Sequence, residues 1–124
     1  MRGTTMAGAL ALSLTALMGI APAAQAAKSD CTSGKLCGWY NQNYGGTLNQ
    51  YVNDYNDMGG NSDEWHSVYN RSSVAWLLYE DKDYKGTVKC AASGASEDDL
   101  GSFGDKVSSI KKRTVAGCGS YNPI

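Results

Sequence analysis

Few side chains in this sequence are equipped for chemistry, and their spacing narrows the choice further. His66 is the only histidine and is followed directly by Ser67. Adjacent residues of a strand point to opposite faces, so this pair makes a poor nucleophile and base. Glycoside hydrolysis needs two facing carboxyls. Glu64, Glu80 and Glu97 stand in turns or acidic loops, where a solvated charge is the ordinary role. Asp63 and Asp105 open two similar stretches, DEWHSV and DKVSSI, where capping a turn is the simplest duty of an aspartate. The four cysteines, Cys31, Cys37, Cys90 and Cys118, include no Cys-x-x-Cys, which argues against a zinc or redox site. The residues therefore point to binding rather than catalysis.

A duplication positions them. WYNQNYGG (39–46) and YEDKDYKG (79–86) share aromatic-x4-Tyr-x-Gly, with Trp39 on Tyr79, Tyr44 on Tyr84 and Gly46 on Gly86. NSDEWHSV (61–68) and FGDKVSSI (103–110) follow, with Asp63 on Asp105, Ser67 on Ser109 and Val68 on Ile110. One supersecondary unit used twice cannot bury its apolar face in a single copy. A hairpin folded over its own sheet needs φ > 0, which Gly46 and Gly86 supply, and nearby aromatics can cover the bend. A serine just before a buried aliphatic can hold a neighbouring turn's backbone through its hydroxyl. Stretches 36–39, 47–52, 67–69, 73–79, 86–90 and 107–111 read as strands, with one helical turn expected over 97–100. Short strands punctuated by turn signals indicate an all-β sandwich or barrel.

The first 26 residues fall outside that pattern. Arg2, the apolar run 6–20 and Ala24-Gln25-Ala26 form the three parts of a secretory signal peptide. The run is too short for the ~20 apolar residues of a membrane span. The expected mature chain is one domain at 27–124, with motif one at about 36–70, motif two at about 73–113 and a tail at 114–124. In an oxidising compartment four cysteines make two disulfides, with three pairings open. The short spacing favours Cys31–Cys37, leaving Cys90–Cys118 to tie the tail. The net charge of −1, with both signs mixed, lacks the basic footprint of a nucleic-acid binder. Lys111, Lys112 and Arg113 read as the solvated end of a last strand. No nucleic acid, no membrane after cleavage, and a monomer are expected. Asn70-Arg71-Ser72 fits a glycosylation sequon.

With these motifs the chain resembles the βγ-crystallin superfamily, whose Greek-key motifs carry Tyr/Trp-x4-Tyr/Phe-x-Gly followed by (Asn/Asp)-(Asn/Asp)-x-x-(Ser/Thr)-Ser. More narrowly, CTSGKLCGWYNQNYGG (31–46) is similar to the start of the secreted bacterial peptidase inhibitors typified by a small metalloproteinase inhibitor. The resemblance covers about 31–113. It implies a βγ-crystallin-like sandwich of two Greek-key motifs that binds an extracellular protease, a metalloprotease where the type member's specificity carries over. The reactive bond of that family would fall between Cys90 and Ala91, within GTVKCAAS (86–93). The type member closes this loop with a further cysteine; here only Cys118 is available, so 91–101 is expected to be less tightly braced. An ordinary structural disulfide beside a surface loop is the alternative.

The superfamily also implies a double calcium clamp, in which each motif's aspartate shares an ion with the other motif's hydroxyl. Calcium takes six to eight oxygens. By position, Asp63 pairs with Ser108, with the carbonyls of Lys106 and Glu80 adding ligands. Asp105 would pair with residue 66, here His66, and a hard cation prefers oxygen to imidazole. The preceding acidic positions are Ser62 and Gly104, so weak calcium binding at one site is expected. A calcium-stabilised structural or interaction module is thus the alternative to the inhibitor.

Overall fold

The computed structural model describes residues 27–124; the expected signal peptide lies outside them. In strand β1 (Leu36–Trp39) alternate side chains go to opposite faces. Leu36 enters the main core, whereas Cys37 and Trp39 join Cys31 in a second cluster. Strand β4 (Trp76–Asp81) repeats the device. Trp76 and Leu78 face the main core, while Leu77 packs outside with Ala75 and Cys90, flanked by Tyr79 and Cys118. Both faces of each central strand are covered, which explains their near-continuous apolar reading. Disulfides Cys31–Cys37 and Cys90–Cys118 sit in the two outer clusters.

Five further strands complete the sandwich: β2 (Leu48–Tyr51), β3 (Ser67–Asn70), β5 (Lys85–Ala91), β6 (Ser96–Glu97) and β7 (Ser109–Lys112). One sheet runs β2-β1-β3-β6 and the other β5-β4-β7, with antiparallel pairing throughout. The two motifs trade pieces. β6 of motif two pairs with β3, placing Val68 opposite Glu97. In return Tyr55 of motif one bridges Ile110 of β7, each N–H donating to the other's carbonyl at 2.9 Å. This is the all-β sandwich of two Greek-key motifs. The helical turn expected over 97–100 is corrected. Ser96 and Glu97 are drawn into the first sheet by β3, and a 3-10 turn forms later, at Gly101–Lys106.

The folded hairpins are alike in detail. Asn43 and Tyr44 have φ of 55° and 59°, Asp83 and Tyr84 58° and 59°, and Gly46 and Gly86 follow at 73° and 80°. Ser67 Oγ accepts from the Tyr44 N–H at 3.0 Å and donates to the Asn41 carbonyl at 2.7 Å. Ser109 Oγ accepts from the Tyr84 N–H at 3.0 Å and donates to the Asp81 carbonyl at 2.6 Å. Tyr44 and Tyr84 then meet Trp39 and Tyr79 edge-on, at 5.1 and 5.8 Å between ring centroids. All three tryptophans are buried. Trp65 fills the space over Gly38, where an added Cβ would come within 2.1 Å of the indole.

Asn70 ties the copies together. It is fully buried, and its side-chain nitrogen donates to the carbonyls of Val74, Ala91 and Ala92 at 2.8–3.0 Å. Its oxygen accepts from the N–H and hydroxyl of Ser72. The sequon is therefore closed in the fold, because the nitrogen that would carry a glycan is engaged inside.

Two outcomes follow from these contacts. Ser67→Ala and Ser109→Ala should each lower unfolding free energy by about 1–3 kcal/mol, since each buried hydroxyl makes two hydrogen bonds to the hairpin backbone; urea titration measures this. Burial raises the Tyr51, Tyr79 and Tyr84 phenols above their ordinary 10.0, with the Asn61 hydrogen bond opposing it at Tyr51. The unfolded chain then ionises first, so stability is intact below pH 10 and falls as pH rises above it. Melting curves on either side of that pH should show the drop, and Tyr51→Phe should reduce it.

Candidate functional site

The exchange of segments brings each motif's aspartate turn against the other motif's last strand. Asp63 has φ of 64°, a left-handed conformation that is uncommon for a residue with a side chain. Its N–H donates to the Val107 carbonyl at 2.9 Å, anchoring the turn to motif two. There Ser108 Oγ lies 3.0 Å from Asp63 Oδ1 and 3.2 Å from the Lys106 carbonyl oxygen. Ser108 is buried, and its N–H donates to the Tyr79 carbonyl at 2.8 Å. Glu80 is the next residue of β4, and its carboxylate lies 3.7 Å from Lys106 Nζ. Asp63, Ser108 and Lys106 thus meet in one place, with Glu80 alongside. Three oxygens there share a single hydroxyl proton.

The other crossing has different chemistry. His66 Nε2 lies 2.7 Å from Asp105 Oδ1, and Nδ1 faces the Tyr40 carbonyl oxygen. The histidine is half-buried and its backbone is also tied down, its N–H donating to the Trp39 carbonyl and its carbonyl accepting from the Leu100 N–H. With both ring nitrogens engaged, and Ser67 committed to the hairpin, no nucleophile and base meet here. Among the described residues no three His, Cys, Asp or Glu side chains gather as a metal-holding group. Any cation at the first crossing would depend on hydroxyl and carbonyl oxygens.

Cys90 and Ala91 do not occupy a presented loop. Both are fully buried in β5, opposite Leu77 and Trp76. The Cys90 N–H donates to Asn122, and its carbonyl accepts from Ile124, so the tail covers that edge. In the folded chain the bond between Cys90 and Ala91, the reactive bond that the resemblance implies, is thus held inside a sheet. The exposed feature lies just beyond, at Ser93 and Gly94. The Ser93 N–H donates to Ala116, the Gly94 N–H to Asn70 and the Ala95 N–H to Ala92, while the Ser93 hydroxyl donates to Ser72 at 2.6 Å. The loop is braced after all, by hydrogen bonds rather than a cysteine.

Sequence reasoning missed Asn70 as the brace and Tyr40 as a partner of His66. Two clues were present. Asn70 ends a strand beside Ser72, and Tyr40 matches Glu80 in the duplication.

The sequence model of peptidase inhibitor family I36 matches residues 24–91. No curated protein sequence matches this chain. Among solved structures, a chain from work on the evolution of the eye-lens βγ-crystallin domain fold superposes with TM-score 0.62 at 17% identity, covering 76% of this chain and 94% of that one. A βγ-crystallin from Ciona intestinalis gives 0.59 at 21%, covering 64% and 100%. The N-terminal domain of protein S gives 0.58 at 20%, covering 68% and 100%. These likenesses fix the fold as βγ-crystallin-like, and the match to an inhibitor family points to a non-enzymatic protein. A match across more than half of the chain carries the lineage further: this protein belongs to peptidase inhibitor family I36.

Proposed function

We propose that the protein is secreted and inhibits an extracellular protease by binding to it, without offering a scissile bond between Cys90 and Ala91. The observation that carries this reading is the family match over 24–91. The turn around Ser93 and Gly94 supports it, because a loop held by its neighbours loses little conformational entropy on docking. Two disulfides suit an oxidising compartment. Metalloproteases are the first class to try, on the likeness of the N-terminal clasp. The mature chain should slow a thermolysin-like or a subtilisin-like enzyme while staying intact between Cys90 and Ala91 by mass spectrometry. Absence of slowing in every assay removes the reading. Ser93→Ala should weaken inhibition roughly three- to tenfold, the equivalent of one net hydrogen bond.

A second reading has its own observation, the oxygens of Asp63, Ser108 and Lys106 gathered around one proton. Such a set suits a hard divalent cation, and the Glu80 carbonyl and waters would complete the shell. Calcium would then staple Asp63 of motif one to motif two. Adding it should raise the melting midpoint progressively, as a ligand of the native state alone must, because the native state gains about 2.7 kcal/mol at a hundredfold excess over Kd. Asp63→Ala and Ser108→Ala should each abolish the rise; persistence in both would place the ion elsewhere.

A further inference from the structure

The duplication that pairs Asp63 with Asp105 also pairs Ser108 with His66 and Glu80 with Tyr40. At the first crossing an aspartate oxygen meets a hydroxyl beside a backbone carbonyl. At the second, the imidazole of His66 lies between the Asp105 carboxylate and the Tyr40 carbonyl. Those two oxygens correspond to Asp63 and to the residue 80 carbonyl, both oxygen donors in the calcium reading. The carbonyl can only accept, so Nδ1 carries a proton. Nε2 faces the Asp105 carboxylate at 2.7 Å, so the one ring spans both oxygens.

A separate observation agrees. Gly104 is buried, and a Cβ at that position would press on the Trp65 carbonyl oxygen at 3.1 Å and touch His66 Cδ2 at 3.5 Å. Position 104, beside the ring, therefore has little room for the acidic side chain a cation would favour.

We infer that His66 is an internal plug: its imidazole fills the second cation site and latches Asp105 of motif two to Tyr40 of motif one without any metal. The count of ions rests on the calcium reading of the first crossing, but the latch itself does not. Calcium alone, titrated calorimetrically into the mature protein, tests it. Wild type should take up one ion and His66→Ser two; in chelator, His66→Ser should melt below wild type. Wild type binding none while His66→Ser binds one would refute the Asp63–Ser108 reading and uphold the plug. A His66→Ser protein that gains no ion over wild type would overturn the plug. Should this variant fail to fold in chelator, rescue of folding by calcium supports the inference, and lack of rescue overturns it.

Discussion

Asn43 and Tyr44, and again Asp83 and Tyr84, occupy the left-handed region, where a side chain costs about 1–2 kcal/mol per residue. One serine hydroxyl holds each pair there, accepting from the backbone inside the bend and donating to the carbonyl before it. Much else depends on that contact. It brings a tyrosine ring over the outer face of each sheet, beside Trp39 or Tyr79. It also joins the start of each motif to its last strand, whose neighbouring residues Ser108 and His66 make the inter-motif contacts. A single atom in each copy thus links the bend, the outer cluster and the crossing.

That contact was legible because its parts are sequence-local and repeated. Aromatic-x4-Tyr-x-Gly and the later serine occur twice in register, and each has a direct physical duty. The fold followed from the same repetition. The position of Ala91 was not legible, since KCAAS reads equally as a strand end or a loop. Two distant partners decide it: the tail at Asn122 and Ile124 closes the edge, and Trp76 covers the inner face. The 96–97 strand was hidden for a similar reason. Ser-Glu has little strand preference of its own, and β3 supplies the pairing. At the candidate site, position in the repeat brought Asp63 near Ser108 and Asp105 near His66, but it said nothing of the Tyr40 carbonyl.

Inhibition and cation binding would use different parts of the molecule. The braced turn at Ser93 and Gly94 is held by Asn70, Ser72 and Ala116, whereas the aspartate crossings join 63 to 108 and 66 to 105. Asn70 lies between these regions in function as well as in sequence. It ends the strand that begins one residue after His66, and its carboxamide supports the backbone just ahead of the turn. Rigidity of the presented surface therefore draws on the same core that aligns the crossings.

The trading of segments, with β6 given to the first sheet and Tyr55 to the second, means that neither motif alone supplies every pairing of its own sheet. A cut between the motifs would leave each half with open backbone edges. The two are therefore expected to melt in a single cooperative transition rather than one after the other.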